Sequence, residues 1–168
     1  MRPQGVTDSP RSRTSAGLLM FRRTAREVEV LLIHPGGPFF ARKDAGAWSI
    51  PKGEAAPTED LLTRARIEFE EELGVPAVSE SWIALGSIKQ KGGKIVHAWA
   101  LEDDLPSDFE LRSNEFEIEW PPRSGKRSRF PEVDDARFFS TAEALEKIKA
   151  AQFPLIERLL AHLEQTPQ

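Results

Sequence analysis

Glu68, Glu71 and Glu72 stand within the run Ile67-Glu68-Phe69-Glu70-Glu71-Glu72-Leu73-Gly74-Val75. A helix turns about 100° per residue, so spacings of three and four put these three carboxylates on one face and send Glu70 elsewhere. Like charges so spaced repel by roughly 0.2–0.5 kcal/mol per pair. They also fall in the last turns of the helix, where the macrodipole is already negative. Such a face needs a cation, and three hard oxygen donors suit Mg²⁺ or Mn²⁺. Most Glu-rich helices are only solvated acidic faces, so the segment upstream decides the matter.

Trp48-Ser49-Ile50-Pro51-Lys52-Gly53-Glu54 reads as a short strand running into a turn. Glu59 follows Gly53 by six residues, and Glu68, Phe69, Glu71, Glu72, Gly74 and Val75 follow at fixed offsets. With these residues the chain resembles the Nudix hydrolases. Their box runs Gly, five residues, Glu, seven residues, Arg-Glu-hydrophobic-any-Glu-Glu-any-Gly-hydrophobic. The Arg position alone differs, being Ile67. So many fixed positions over about two dozen residues make a specific signal, unlike a lone Gly-rich loop. The resemblance implies an α/β/α Nudix sandwich. It implies divalent metal, Mg²⁺ or Mn²⁺, at Glu68, Glu71, Glu72 and the carbonyl of Gly53, with Glu59 supporting the structure. It also implies attack of water on phosphorus, splitting a nucleoside diphosphate from another group. Glu71 or Glu72 could activate that water.

A base could also lie outside the box. Glu132, in Phe130-Pro131-Glu132-Val133-Asp134-Asp135, precedes an aromatic strand at a distance where MutT-type members resemble it and carry an acidic base or metal ligand. A surface Glu beside Asp134 and Asp135 reads equally well. Gln152 falls where those enzymes resemble this chain and carry a base-reading amide, although a turn residue before a Pro-led helix looks the same. Lys52, beside Gly53, is a candidate for a phosphate, and Arg42 and Lys43 precede it in a loop. Arg123, Lys126, Arg127 and Arg129 cluster in a Pro/Gly/Ser-rich stretch that reads as a mobile cationic lid or a solvated loop. His34, His97 and His162 have no metal-site spacing.

The elements that must carry these groups alternate. Residues 16–22 and 28–34 read as strands, 82–89 and 94–101 as a hairpin around Gly92-Gly93, and 115–120 and 136–139 as further strands. Thr58 is the expected N-cap of the box helix, Leu62, Ala65, Phe69 and Leu73 its apolar stripe, and Gly74 its end. Residues 141–149 and 154–164 read as helices, Pro154 fitting the first turn of the second. The class is α+β, a sandwich around a mixed central sheet. One domain over 15–166 is expected, after a flexible tail over 1–14 without the apolar region of a signal peptide.

At 168 residues the length suits one core, and a net charge of −4 gives no nucleic-acid footprint. No apolar run approaches the roughly 20 residues of a membrane span. The absence of cysteine removes thiolate catalysis and Cys-ligated zinc. The expectation is a cytoplasmic enzyme with a small-molecule nucleotide substrate, its oligomeric state open. The dinucleoside polyphosphate subgroup typically adds a Tyr beyond the box, and this chain has none. The ADP-ribose subgroup typically adds a Pro about fifteen residues beyond the box Gly, where Lys89 stands. A nucleoside triphosphate or dinucleoside polyphosphate is thus favoured over ADP-ribose. A non-catalytic nucleotide or metabolite sensor of the same fold is the alternative, motivated by Ile67.

Overall fold

The computed structural model describes residues 13–165. Its elements are β1 (Thr14–Arg23), β2 (Val28–Pro35), β3 (Lys52–Glu54), α1 (Leu61–Leu73), β4 (Ile83–Lys89) and β5 (Ile95–Glu102). Then come β6 (Glu115–Glu119), β7 (Arg127–Pro131), β8 (Val133–Ser140), α2 (Thr141–Lys147) and α3 (Phe153–Gln165). Residues 1–12 of the expected tail lie outside the described residues, and Thr14 already opens β1.

The main sheet has six strands in the order β4-β5-β1-β2-β8, with β3 joined to β1. The β1–β5 pair is parallel and the others are antiparallel, so the sheet is mixed. A central strand covered on both faces should be apolar throughout rather than alternating. β1 is buried without a break from Ser15 to Phe21. Its side chains divide by parity. Leu19 and Phe21 join Val30, Leu32, Leu155, Ile156 and Leu159 on the α2/α3 side. Ala16, Leu18 and Met20 join Leu31, Ile33, Ala65, Phe69 and Leu73 on the α1 side. The result is the expected three-layer α/β/α sandwich. Gly17 sits at the join with the segment before β3, where an added Cβ would come within 2.7 Å of the Pro51 carbonyl oxygen. That closeness lets Leu18 N–H donate to Pro51 at 3.1 Å, which holds the start of the box against the sheet.

Three local expectations change. The N-cap of α1 is Asp60, not Thr58; its carboxylate accepts from Thr63 N–H at 3.0 Å. The helix therefore starts at Leu61, because Glu59 is occupied with Ala56 N–H at 2.8 Å. Residues 127–131 form β7 rather than loop, paired with β6 in a separate two-stranded sheet. There Arg127 meets Glu117 at 2.8 Å and Arg129 meets Glu115 at 3.8 Å, so these two cations are matched by carboxylates rather than free to form a mobile lid. Only Arg123 and Lys126 remain near the connecting turn. The first C-terminal helix ends at Lys147, and Lys149 lies in the connection that follows.

Candidate active site

α1 carries Glu68, Glu71 and Glu72 because its opposite stripe, Ala65, Phe69 and Leu73, is fully buried against the sheet. The helix stops at Gly74, whose φ of 86° is open to glycine at little cost and whose N–H donates to the Glu70 carbonyl at 2.7 Å. Two more terminal carbonyls are capped from a distant segment. Arg112 N–H donates to Leu73 at 3.2 Å, and Asn114 N–H donates to Glu71 at 3.0 Å.

β3 runs directly beneath this face. A Cβ on Gly53 would fall 2.0 Å from the Glu68 carboxyl carbon, so the Gly53 backbone and the Glu68 carboxylate are in contact. The Lys52 backbone N–H donates to the Glu72 carboxylate. The Oε2 of Glu72 is buried and has no hydrogen-bond partner. An unsatisfied buried carboxylate oxygen is costly and rare. Burial, and then the neighbouring Glu68, push the Glu72 carboxyl up to about 8, against the opposing pull of Lys52. Glu68 is raised by burial and by Glu71. Among the described residues no three carboxylate or imidazole groups are already drawn into metal-ligand geometry. The donor set still fits a hard divalent cation. It combines two crowded carboxylates whose pKa values burial raises, one unpartnered oxygen and an exposed third carboxylate, Glu71.

The missing box Arg is answered one turn earlier. Arg64 donates from Nε to Glu59 at 2.8 Å and reaches the same carboxylate through Nη2 at 2.6 Å. Its Nη1 donates to Glu68 at 3.3 Å. Such forked, charge-assisted bonds fix both carboxylates. Ile67 is 38 % exposed and takes no part in this bridge. Spacing carried the signal, since Arg64 precedes Glu68 by four residues and follows Glu59 by five.

Glu132 joins the cluster from the other side. Its N–H donates to the Asn114 carbonyl at 2.8 Å, and Asn114 N–H holds Glu71, so one residue staples the two segments together. Its own carbonyl accepts from Gly36 N–H at 2.9 Å. The Glu132 carboxyl is raised by burial and by Glu71, and it acts in turn on Glu68 and Glu72. Asp134 points elsewhere, accepting from His34 Nδ1 at 2.7 Å, while His34 Nε2 meets the Lys43 carbonyl at 2.6 Å.

The remaining candidates separate. Lys52 lies beside the carboxylates and is attracted to Glu72, with burial as the main force lowering its pKa. Arg42 and Lys43 are exposed on the loop after β2, and neither pairs with a carboxylate among the described residues. Gln152 is fully buried. It accepts from Ile50 N–H at 3.0 Å and donates to Ser49 Oγ at 3.0 Å and Gln90 Oε1 at 2.8 Å. Both amide hydrogens are thus used within the protein, and the side chain has no face left to read a base.

Comparison with known proteins agrees with this arrangement. Residues 11–159 match the NUDIX domain family. No curated protein matches the sequence. Among solved structures, a Caenorhabditis elegans Ap4A hydrolase in a binary complex is similar with TM-score 0.64 at 21 % identity, covering 90 % of this chain and 99 % of that one. The NUDIX domain of Shewanella oneidensis NrtR complexed with ADP ribose gives 0.61 at 16 %, covering 89 % and 87 %. The MutT protein of Methanosarcina mazei gives 0.57 at 21 %, covering 89 % and 93 %. At these identities the likeness is one of fold, and the family rests on the domain match. The chain belongs to the NUDIX domain family.

Proposed function

We propose that the chain is a divalent-metal-dependent pyrophosphohydrolase that cleaves a nucleoside triphosphate or a dinucleoside polyphosphate. The observation that carries the metal is the unpartnered Glu72 Oε2, buried beside Glu68 where Gly53 leaves room only for backbone. Glu68, Glu71, Glu72 and the Gly53 carbonyl are the residues that hold Mg²⁺ or Mn²⁺. The ion supplies charge neutralisation at the bridging oxygen and lowers the pKa of an attacking water.

The protein's own groups do the rest. Lys52 meets the phosphate chain at the edge of the carboxylates. Arg64 keeps Glu68 and Glu59 oriented. Glu132 takes the proton of the attacking water; its raised pKa moves it toward the range in which a carboxylate is an effective base at neutral pH. The water oxygen bonds to phosphorus, the bond from phosphorus to the bridging oxygen breaks, and that oxygen leaves with the departing phosphate. The substrate class draws on the Ap4A hydrolase and MutT proteins that share the fold. The sensor alternative rests on Ile67; the bracing of Glu59 and Glu68 by Arg64 from the preceding turn supports the hydrolase reading instead.

A phosphate-release screen over nucleoside triphosphates, dinucleoside polyphosphates and nucleoside diphosphate sugars, with Mg²⁺ or Mn²⁺ and product identification, tests this. Metal-dependent release from one of the first two classes is expected. No release from any nucleotide by folded protein would return the sensor reading.

A further inference from the structure

Glu132 stands between two sheets and belongs to neither. β7 ends at Pro131 and β8 begins at Val133. The β6–β7 ladder ends with Glu115 opposite Pro131, and the Glu132 N–H adds one more rung by donating to the Asn114 carbonyl at 2.8 Å. The next residue, Val133, is already paired with Pro35 in the main sheet. That second ladder is irregular where it begins. His34 lies opposite Asp135 and Pro35 opposite Val133, which leaves Asp134 as an extra residue. An extra residue of this kind bends the strand and re-aims the side chains beside it. Two ladders that meet at one residue, one of them broken, do not fix that residue's direction by themselves.

The Ser113 hydroxyl closes this junction. It accepts from the Val133 N–H at 3.1 Å and donates to the Asn114 carbonyl at 2.9 Å. The same carbonyl receives the Glu132 N–H, so one hydroxyl ties the residue after Glu132 to the group that holds Glu132 itself. A hydroxyl can do this because it donates once and accepts at the same time. The stretch that supplies it is anchored on α1. Arg112 N–H donates to the Leu73 carbonyl at 3.2 Å and Asn114 N–H to the Glu71 carbonyl at 3.0 Å, and Ser113 lies half-buried between these two anchors. Beyond the junction, Gly36 N–H holds the Glu132 carbonyl at 2.9 Å and His34 holds Asp134 at 2.7 Å. The link from Glu71 to Glu132 thus runs through residues 113 and 114. Asn114 acts there through its backbone, and Ser113 supplies the side chain that a substitution can remove.

We propose that Ser113 is a positioning residue for the hydrolytic step: its hydroxyl sets where the Glu132 carboxylate stands against Glu71, and so how well Glu132 takes the proton of the attacking water. The role rests on the reading of Glu132 as the base, and Ser113 acts on the reaction only through Glu132. Without the hydroxyl, the Val133 N–H loses its acceptor. The strand is then free to pivot at the extra residue, Asp134, and carries the Glu132 carboxylate with it. A displacement of about 1 Å at a reacting group can cost about a hundredfold in rate.

The test compares the full native chain with Ser113→Ala, Ser113→Thr, Glu132→Gln and the Ser113→Ala/Glu132→Gln double variant. Backbone amide exchange is followed by NMR in EDTA, and turnover of ATP, GTP and diadenosine tetraphosphate is measured at saturating Mg²⁺. Ser113→Ala speeds exchange of the Glu132 and Val133 amides about tenfold, the scale of one lost hydrogen bond, and leaves the amides of α1 as in the native chain. It lowers kcat roughly 10–100-fold and changes KM by less than about twofold. Ser113→Thr keeps the hydroxyl and retains both native values. In the Glu132→Gln background the same alanine costs less than about twofold in kcat, because the group it positions is already gone. Should Ser113→Ala fold poorly, Ser113→Cys, whose thiol is a weak donor and acceptor, stands in with the same expectations. Native kcat in Ser113→Ala beside a crippled Glu132→Gln would overturn the proposal and leave the base reading standing. Unchanged exchange at Glu132 and Val133, or equal losses in both backgrounds, would overturn it as well, the latter by showing a role that does not pass through Glu132. A Glu132→Gln variant as active as native, or a folded chain that turns over none of the three nucleotides, sinks the base reading and the positioning role together.

Discussion

Replacing Glu72 by Gln should abolish turnover and, without metal, make the protein more stable in alkaline solution. The native carboxyl rises from the ordinary value of 4.5 to about 8 on folding. The folded chain therefore keeps a proton that the unfolded chain has already lost. Stability is full below about 4.5, falls as pH rises, and levels off above about 8. At about 1.4 kcal/mol per pKa unit the loss reaches roughly 3 kcal/mol by pH 7 and roughly 5 kcal/mol at the plateau. Part of that gradient belongs to the cluster, because Glu68 and Glu132 titrate against the same carboxyl. Gln cannot ionise, yet it retains an oxygen for the Lys52 N–H. Relative to native protein it should gain about 2–5 kcal/mol between pH 5 and pH 9. Urea unfolding of both proteins in EDTA at pH 5, 7 and 9 measures this, since titrations common to both cancel in the difference. Mg²⁺ at pH 9 should then stabilise the native chain more than the variant. A native-minus-variant difference that is the same at pH 5 and pH 9 would refute the burial argument, and equal stabilisation of both by Mg²⁺ would refute the metal assignment.

Four further outcomes follow from the same contacts. Arg64→Ala should lower activity about 10–100-fold, the usual effect of removing a group that orients metal ligands. Ile67→Arg alone, at an exposed position, should leave activity level or higher and should restore activity to the Arg64→Ala background; a double variant as inactive as the single one would show that the brace works only from Arg64. Glu132→Gln should reduce kcat by roughly 10²–10⁴-fold with little change in KM at saturating Mg²⁺. Asp135→Asn is its silent control. Asp134→Asn is not, because it loosens His34; a Glu132 variant as active as the Asp135 control would return the base role to the box. Gly53→Ala should displace the Glu68 carboxylate, cost about 1–3 kcal/mol of overpacking and weaken stabilisation by Mg²⁺; unchanged turnover would mean that the Gly53–Glu68 contact does not shape the site.

Much of this protein was legible from residues near one another in the chain. The carboxylate face of α1 followed from spacings of three and four, its end from Gly74, and β1, β2, β4 and β5 from apolar runs and the Gly92-Gly93 turn. Periodicity reports such features because one helix or one hairpin is a local object. The start of α1 went astray by two residues because Glu59 was drawn into bonds with Ala56 and Arg64, leaving Asp60 to cap. β7 looked like a loop because its Arg and Ser residues gain their order only from pairing with β6. Gln152 read as a base-reading amide or a turn residue and is instead buried, since three donors and acceptors from distant segments satisfy it at once. The meeting of Glu132 with Glu71 depends on Asn114, which bonds to both across segments far apart in sequence. The elevated Glu72 carboxyl arises the same way. Spacing along the chain sets which charges share a helix face; only the packing of separate segments removes water from them, and that removal decides their proton affinity and partners.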